Sequence, residues 1–170
     1  MLLNIFKSKP TLKDLIPNDY VDIHSHILPG LDDGCKNINE SEEITNKLKE
    51  LAFNKLIFTP HIINGLYNND LISIKTCFEK FNKNNPSKLS LDYACEYMID
   101  ESLIEKADNK KLITIGDKYV LLEMSYLSEP INLNEILFQI QTNGYIPIIA
   151  HPERYRFWFE KFKKFIKLKD

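Results

Sequence analysis

The stretch Val21-Asp22-Ile23-His24-Ser25-His26-Ile27-Leu28-Pro29-Gly30-Leu31-Asp32-Asp33-Gly34 constrains the chain most. A β-branched run feeds Asp-x-His-x-His, then a Pro-Gly turn, then two carboxylates. Side chains alternate along a strand, so Asp22, His24 and His26 project to one side. Two imidazoles and a carboxylate on one face can grip a metal ion, and the turn can return Asp32 or Asp33 towards it. The plainer reading is a polar edge strand with incidental histidines.

The rest of the chain favours the metal. It holds four histidines, His24, His26, His61 and His151. Each falls at or just past the C-terminal end of a predicted strand. Glu96 lies in a third strand and Glu123 closes another. In α/β barrels that end collects ligands and catalytic residues. Nitrogen and carboxylate donors of this kind suit manganese, iron or zinc. Two or three adjacent cations would acidify water and clamp a phosphoryl group.

The remaining elements alternate. A leader over 1–19 carries one helical turn between Pro10 and Pro17. Strands are expected at 20–24, 55–59, 89–97, 119–123 and 146–150. Helices are expected at 39–53, 70–82, 100–107 and 133–143, with a last one beyond 159. Asn39 with Glu42, and Asn132 with Glu135, have capping-box spacing. Ile44, Leu48, Leu51 and Ala52 should form the buried stripe of the first long helix, and Leu71, Ile74, Phe78 and Phe81 that of the second. Residues 112–115 and 119–123 flank Gly116-Asp117-Lys118 like a hairpin. Repeated strand–helix order with apolar strands indicates a parallel α/β sheet or barrel.

Composition excludes several alternatives. A hydrophobic fraction of 44% supports a packed core, and a formal charge of −2 gives no electrostatic case for nucleic acid. Apolar Met1–Lys7 is too short for a signal-peptide core, and no stretch approaches a membrane span, so a cytoplasmic setting is expected. Cys35, Cys77 and Cys95 form no metal-knuckle spacing. Positions 41, 83 and 101 are Ser, Lys and Glu, so none of them opens a Cys-x5-Arg phosphate loop. Cys35 is therefore read as structural. The two arginines, Arg154 and Arg156, both follow His151-Pro152-Glu153. A guanidinium can hold phosphate bidentately, and Arg154 could otherwise simply pair with Glu153. Tyr145, Tyr155, Phe157, Trp158 and Phe159 read as core packing.

With these motifs in view, the chain resembles the polymerase-and-histidinol-phosphatase (PHP) superfamily. Within it, the nearest likeness is to the bacterial manganese-dependent tyrosine-protein phosphatases of capsule and exopolysaccharide operons. The matches are the Asp22–Gly34 stretch, Thr59-Pro60-His61, Glu96-Tyr97-Met98, Leu122-Glu123-Met124-Ser125 and Ala150-His151-Pro152-Glu153-Arg154-Tyr155, in family order. The resemblance implies metal ligation by His24, His26, Asp33, His61, Glu96, Glu123 and His151. It implies a catalytic, phosphate-binding role for Arg154, while Arg156 stays a second substrate-binding candidate from its residue type and position alone. It implies a distorted (β/α)7 barrel, a variant of the eightfold barrel, spanning 20–170. It implies two or three Mn²⁺ ions, with iron or zinc as substitutes, and hydrolysis of phosphotyrosine on a polysaccharide-assembly kinase without a cysteine nucleophile. A homo-oligomer is compatible with the sequence.

The family continues to a late strand with an Asp-x-His pair, and no such pair follows His151 here. The expectation is therefore a barrel lacking its final βα units and two ligands, with lowered stability. A catalytically inactive kinase-binding module, or another PHP-type phosphoesterase, are the alternative readings.

Overall fold

The computed structural model describes residues 9–17 and 19–169, and of these the side chains of residues 162, 165, 167 and 169 are left undescribed. The apolar Met1–Lys7 segment and the side chains of Phe162 and Phe165 lie outside what is described. Seven parallel-paired strands alternate with helices: α1 (Leu12–Leu15), β1 (Tyr20–Asp22), α2 (Ile38–Glu50), β2 (Phe53–Phe58), β3 (His61–Ile62), α3 (Leu71–Lys83), β4 (Ser90–Tyr93), β5 (Glu96–Met98), α4 (Ser102–Asp108), β6 (Tyr119–Glu123), α5 (Leu133–Thr142), β7 (Ile146–Ile149) and α6 (Phe162–Lys169). Two short 3₁₀ turns, Pro152–Arg154 and Arg156–Trp158, precede α6.

The strands form two sheets, ordered β1-β2-β4 and β3-β5-β6-β7. Pro60 separates β2 from β3 because it has no amide to offer the ladder. The wall nevertheless continues across the break. Ala94 N donates to Phe58 O at 2.8 Å and Glu96 N to Pro60 O at 3.1 Å. The single strand expected over 89–97 is thus two, β4 and β5, offset at Ala94–Cys95. Among the described residues, β1 pairs with β2 alone and β7 with β6 alone, so the parallel α/β wall is curved and its barrel is not closed.

The pleat sorts residues between two clusters. Leu56, Phe58, Leu89, Cys95, Tyr97, Val120 and Leu122 face the helices in the main core with Ile74, Phe81, Leu103 and Ile140. Ile57, Ala94, Ile115, Leu121 and Ala150 pack on the opposite, inner side of the wall. The strands are not buried on both faces throughout, since Val21, Ile23, Tyr119 and Ile146 remain exposed. No helix among the described residues is long and apolar enough to cross a membrane.

Several local expectations shift. The cap of α2 is Asn37, not Asn39: its side chain accepts from Asn39 N and Glu40 N. Glu40 completes the arrangement by accepting from Lys36 N at 2.7 Å. The buried residues of α2 are Ser41 and Thr45, while Ile44 is exposed. Small hydroxyl residues belong there because Ser41 Oγ donates to Ile27 O at 2.6 Å, tying the helix to the histidine-bearing segment. Leu71, expected inside α3, sits exposed in its first turn, while Ile74 and Phe81 are buried. Asn132 occupies the cap position of α5 without a side-chain capping bond. The expected hairpin reduces to one antiparallel bridge, Ile115 to Tyr119, because β6 is committed to parallel pairing with β5 and β7. In the aromatic group Tyr155 and Trp158 are buried, and Phe159 is exposed.

Candidate metal centre

The strand ends gather the acidic and imidazole side chains into one cleft of about 710 Å³. β1 stops at Asp22, one turn of the pleat earlier than expected, and the chain runs on extended. Thr59 N still donates to Ser25 O at 2.8 Å, so β2 holds the segment carrying His24 and His26. Asp22 takes no place among the candidate ligand groups. Its carboxylate accepts from His24 N at 3.3 Å, and burial raises its pKa.

Residues 26–35 close into a loop through Cys35 N to His26 O, 3.1 Å, and Gly30 N to Cys35 O, 2.8 Å. Gly34 makes that closure feasible. A Cβ there would lie 1.9 Å from His26 O, far inside contact distance. At the other end of the site, His151 adopts φ 31°, ψ 56° before Pro152. A non-glycine residue in this left-handed region stores backbone strain of order 1 kcal/mol, a cost met mainly at functional sites.

Glu96 is the hub. Its side chain is wholly buried. Oε1 lies 2.8 Å from His151 Nε2 and 3.5 Å from His24 Nε2. Oε2 lies 3.2 Å from both His26 Nε2 and His61 Nδ1. His61 Nδ1 is also 2.7 Å from Glu123 Oε1, and its Nε2 is 3.6 Å from Asp33 Oδ1. Three groups therefore place their donor atoms within 4.8 Å of one another: His24–His26–Glu96, His26–Asp33–His61 and His61–Glu96–Glu123. Shared residues link the three.

The donor atoms fit a cation better than they fit each other. His61 Nδ1, Glu96 Oε2 and Glu123 Oε1 are buried and crowd one another without a well-directed hydrogen bond, and His151 Nδ1 is buried without a hydrogen-bond partner among the described residues. Buried carboxylates and imidazoles packed this way are costly unless a counter-charge completes their pairing. Mixed nitrogen and oxygen donors select first-row divalent cations.

A second layer fixes the imidazoles. Asp32 Oδ2 is 2.7 Å from His26 Nδ1 and accepts from His61 N at 3.0 Å. Its other oxygen accepts from Gly34 N at 3.0 Å. Thr59 Oγ1 is 2.7 Å from His24 Nδ1. Such partners leave Nε2 of each ring as the ligand atom. Burial alone would lower the pKa of His26, but its bonds to Asp32 and Glu96 outweigh this and push it up to about 10. Burial lowers His24 despite Glu96. Burial also opposes charge on His61, where Glu123 prevails and raises it. Burial pushes Glu96 up, but the imidazoles around it hold its carboxyl below the ordinary range, and Asp32 is likewise held down against burial by its bond to His26. Protonated His26 and His61 would balance the carboxylates, and a bound cation would displace those protons.

All seven ligand candidates, His24, His26, Asp33, His61, Glu96, Glu123 and His151, line the cleft, as does Arg154. Asp33 is the outlier, with a side chain 65% exposed. Arg154 does not pair with Glu153; its Nη1 donates to Tyr126 Oη at 3.1 Å. Arg156 is not brought to the cleft. Buried Tyr155, whose hydroxyl accepts from Met124 N at 3.0 Å, separates the two arginines and starts a new turn. Sequence reasoning missed Thr59, Tyr67 and Tyr126. Thr59 had a signal, since it directly precedes Pro60-His61; the tyrosines had none.

The family described as capsular polysaccharide synthesis, CpsB/CapC, matches residues 20–170. The CapC protein of Staphylococcus aureus is 37% identical over 138 residues, covering 79% of this chain and 54% of its own length. The tyrosine-protein phosphatase YwqE of Bacillus subtilis is 31% identical over 140 residues, covering 80% and 55%. The chain thus spans about half the length of the curated relatives it matches. A crystal structure from work on YwqE and Streptococcus pneumoniae CpsB, called metal-dependent tyrosine phosphatases, aligns with a TM-score of 0.81 at 29% identity. It covers 88% of this chain and 62% of that one.

Proposed function

This chain belongs to the CpsB/CapC capsular polysaccharide synthesis family, and on that footing we propose that it carries a divalent-metal centre for hydrolysing phosphotyrosine, with a polysaccharide-assembly tyrosine kinase as the substrate protein. The observation that carries the reading is the convergence of buried imidazole and carboxylate donors of His61, Glu96, Glu123 and His151 on one cleft, with donor atoms of the first three within 4.8 Å of one another and His151 Nε2 2.8 Å from Glu96 Oε1.

The holding residues would be His24, His26, Asp33, His61, Glu96, Glu123 and His151, with manganese the favoured ion. When bound, divalent cations there supply Lewis-acid charge to a phosphoryl group and lower the pKa of water. The protein does the rest. Glu96, with its charge-stabilising imidazole surroundings, bridges the ligand groups. Asp32 and Thr59 hold the tautomers of His26 and His24. Arg154, at the rim of the same cleft, offers a planar donor pair to phosphate oxygens, and the charge it supplies grows in value as the transition state forms.

No thiol attack is needed. None of the cysteines lines this cleft, and burial pushes the Cys35, Cys77 and Cys95 thiols up, away from thiolate. The test is release of phosphate from a phosphotyrosine peptide by folded, metal-loaded chain. Release stimulated by Mn²⁺ is expected. Absence of turnover with Mn²⁺, Co²⁺ and Fe²⁺ overturns the reading.

A further inference from the structure

The cleft is not lined by charged and imidazole groups alone. Ile63, Leu66, Tyr67, Met98, Met124 and Tyr126 share it with the donor cluster, Ser125, Glu153 and Arg154. The Tyr67 ring is stacked on His61, with centroids 5.5 Å apart and planes 9° apart. The Tyr126 ring lies 6.0 Å from that of His151. Each tyrosine therefore stands against an imidazole of the donor cluster, one on either side of the mouth. Leu66 at 66% and Tyr126 at 51% exposure are large apolar groups left in water at the rim. A ring bound between them would bury apolar area that water now covers.

The Tyr67 lip is held in place before any ligand arrives. Ile63 N donates to Tyr67 O at 3.0 Å, and Tyr67 N to Ile63 O at 2.9 Å. Gly65, at φ 77°, makes the tight turn between them. Asn68 Oδ1 accepts from Gly65 N at 2.9 Å. Asn69 Nδ2 donates to Leu31 O at 2.9 Å and His61 O at 2.8 Å, fastening the lip to the ligand loop. Fixing a lip in advance lowers the entropic cost of binding.

We infer that this mouth is an aryl subsite, in which Leu66 and Tyr67 on one lip and Tyr126 on the other grip the ring that carries the phosphate. Tyr126 has a second part. Its hydroxyl positions Arg154, so one residue couples recognition of the ring to recognition of the phosphate. Sugar and alkyl phosphates present no aromatic ring to these lips. The inference rests on the phosphatase reading for the position of the phosphate, and its test is independent of turnover.

The test compares phenylphosphonate with methylphosphonate, neither of which is hydrolysed, by calorimetry on the manganese-loaded chain. The phenyl compound should bind at least about tenfold more tightly, the scale of one aromatic contact with its buried area. A Leu66→Ala, Tyr67→Ala double variant should cut that ratio about fivefold or more, with manganese stoichiometry and methylphosphonate affinity retained. Tyr126→Phe should weaken both compounds together and keep the ratio, because the ring stays and only the Arg154 anchor goes. A wild-type ratio near one, no binding of either phosphonate, or a ratio unchanged in the double variant overturns the subsite. Preferential binding of phenylphosphonate without turnover of phosphotyrosine would instead sink the phosphatase reading and leave the subsite standing.

Discussion

Glu96 and Arg154 line the same cleft, but one is wholly buried among four imidazoles and the other stands in solvent on a single hydrogen bond to Tyr126. The donor cluster is set by strand ends and braced from behind by Asp32 and Thr59. The arginine rides on a 3₁₀ turn with an exposed tyrosine as its anchor. A metal site tolerates little error in ligand distance, so its side chains need packed, hydrogen-bonded support. The proposed phosphate-binding role of Arg154 needs its guanidinium aimed at the phosphate, and the Tyr126 hydroxyl is the side-chain bond that aims it. The fold packs one side of the cleft densely and holds the other by a single side-chain bond.

Three substitutions probe that difference. Glu96→Gln should be the most damaging, because the hub loses its charge while the imidazoles remain. Manganese affinity should fall by more than about 100-fold, beyond the loss usual for an outer-layer partner. Calorimetric titration reads this directly, and retention of wild-type stoichiometry would break the hub assignment. Asp32→Asn touches no expected ligand position, yet it removes the acceptor that orients His26. Metal affinity should drop by about 10- to 100-fold. An unchanged affinity would show that the brace is dispensable. Arg154→Lys should have the smallest effect, lowering kcat/KM for a phosphotyrosine peptide by about tenfold, the worth of one charge-assisted hydrogen bond. Metal affinity should stay put. A metal-affinity loss equal to that of Asp32→Asn would erase the distinction between the two sides.

The sequence made most of this legible because the chemistry is concentrated. Four histidines at three predicted strand ends, with Glu96 and Glu123 beside them, required only correct strand placement. Periodicity supplied that to within a few residues. Where the reading slipped, tertiary contacts had overridden local pattern. Ser41 and Thr45 do not look like a buried stripe, yet both are buried, with Ser41 donating to Ile27 O and Thr45 to Ser41 O. Residues 112–115 alternate like a strand, but β6 found its partners elsewhere. Arg154 and Arg156 look equivalent on paper, and the buried Tyr155 between them makes them unlike.

The sequence by itself determined the family, the parallel α/β character and the candidate donor residues, since these follow from residue type, motif and strand-end spacing. Only the tertiary structure decided that Glu96 joins every imidazole, that Asp32 braces while Asp33 faces the cleft, and that Tyr126 holds Arg154. Those relations link residues 6 to 72 positions apart in the chain, and are set by how the strands lie side by side, a distance that no local pattern encodes.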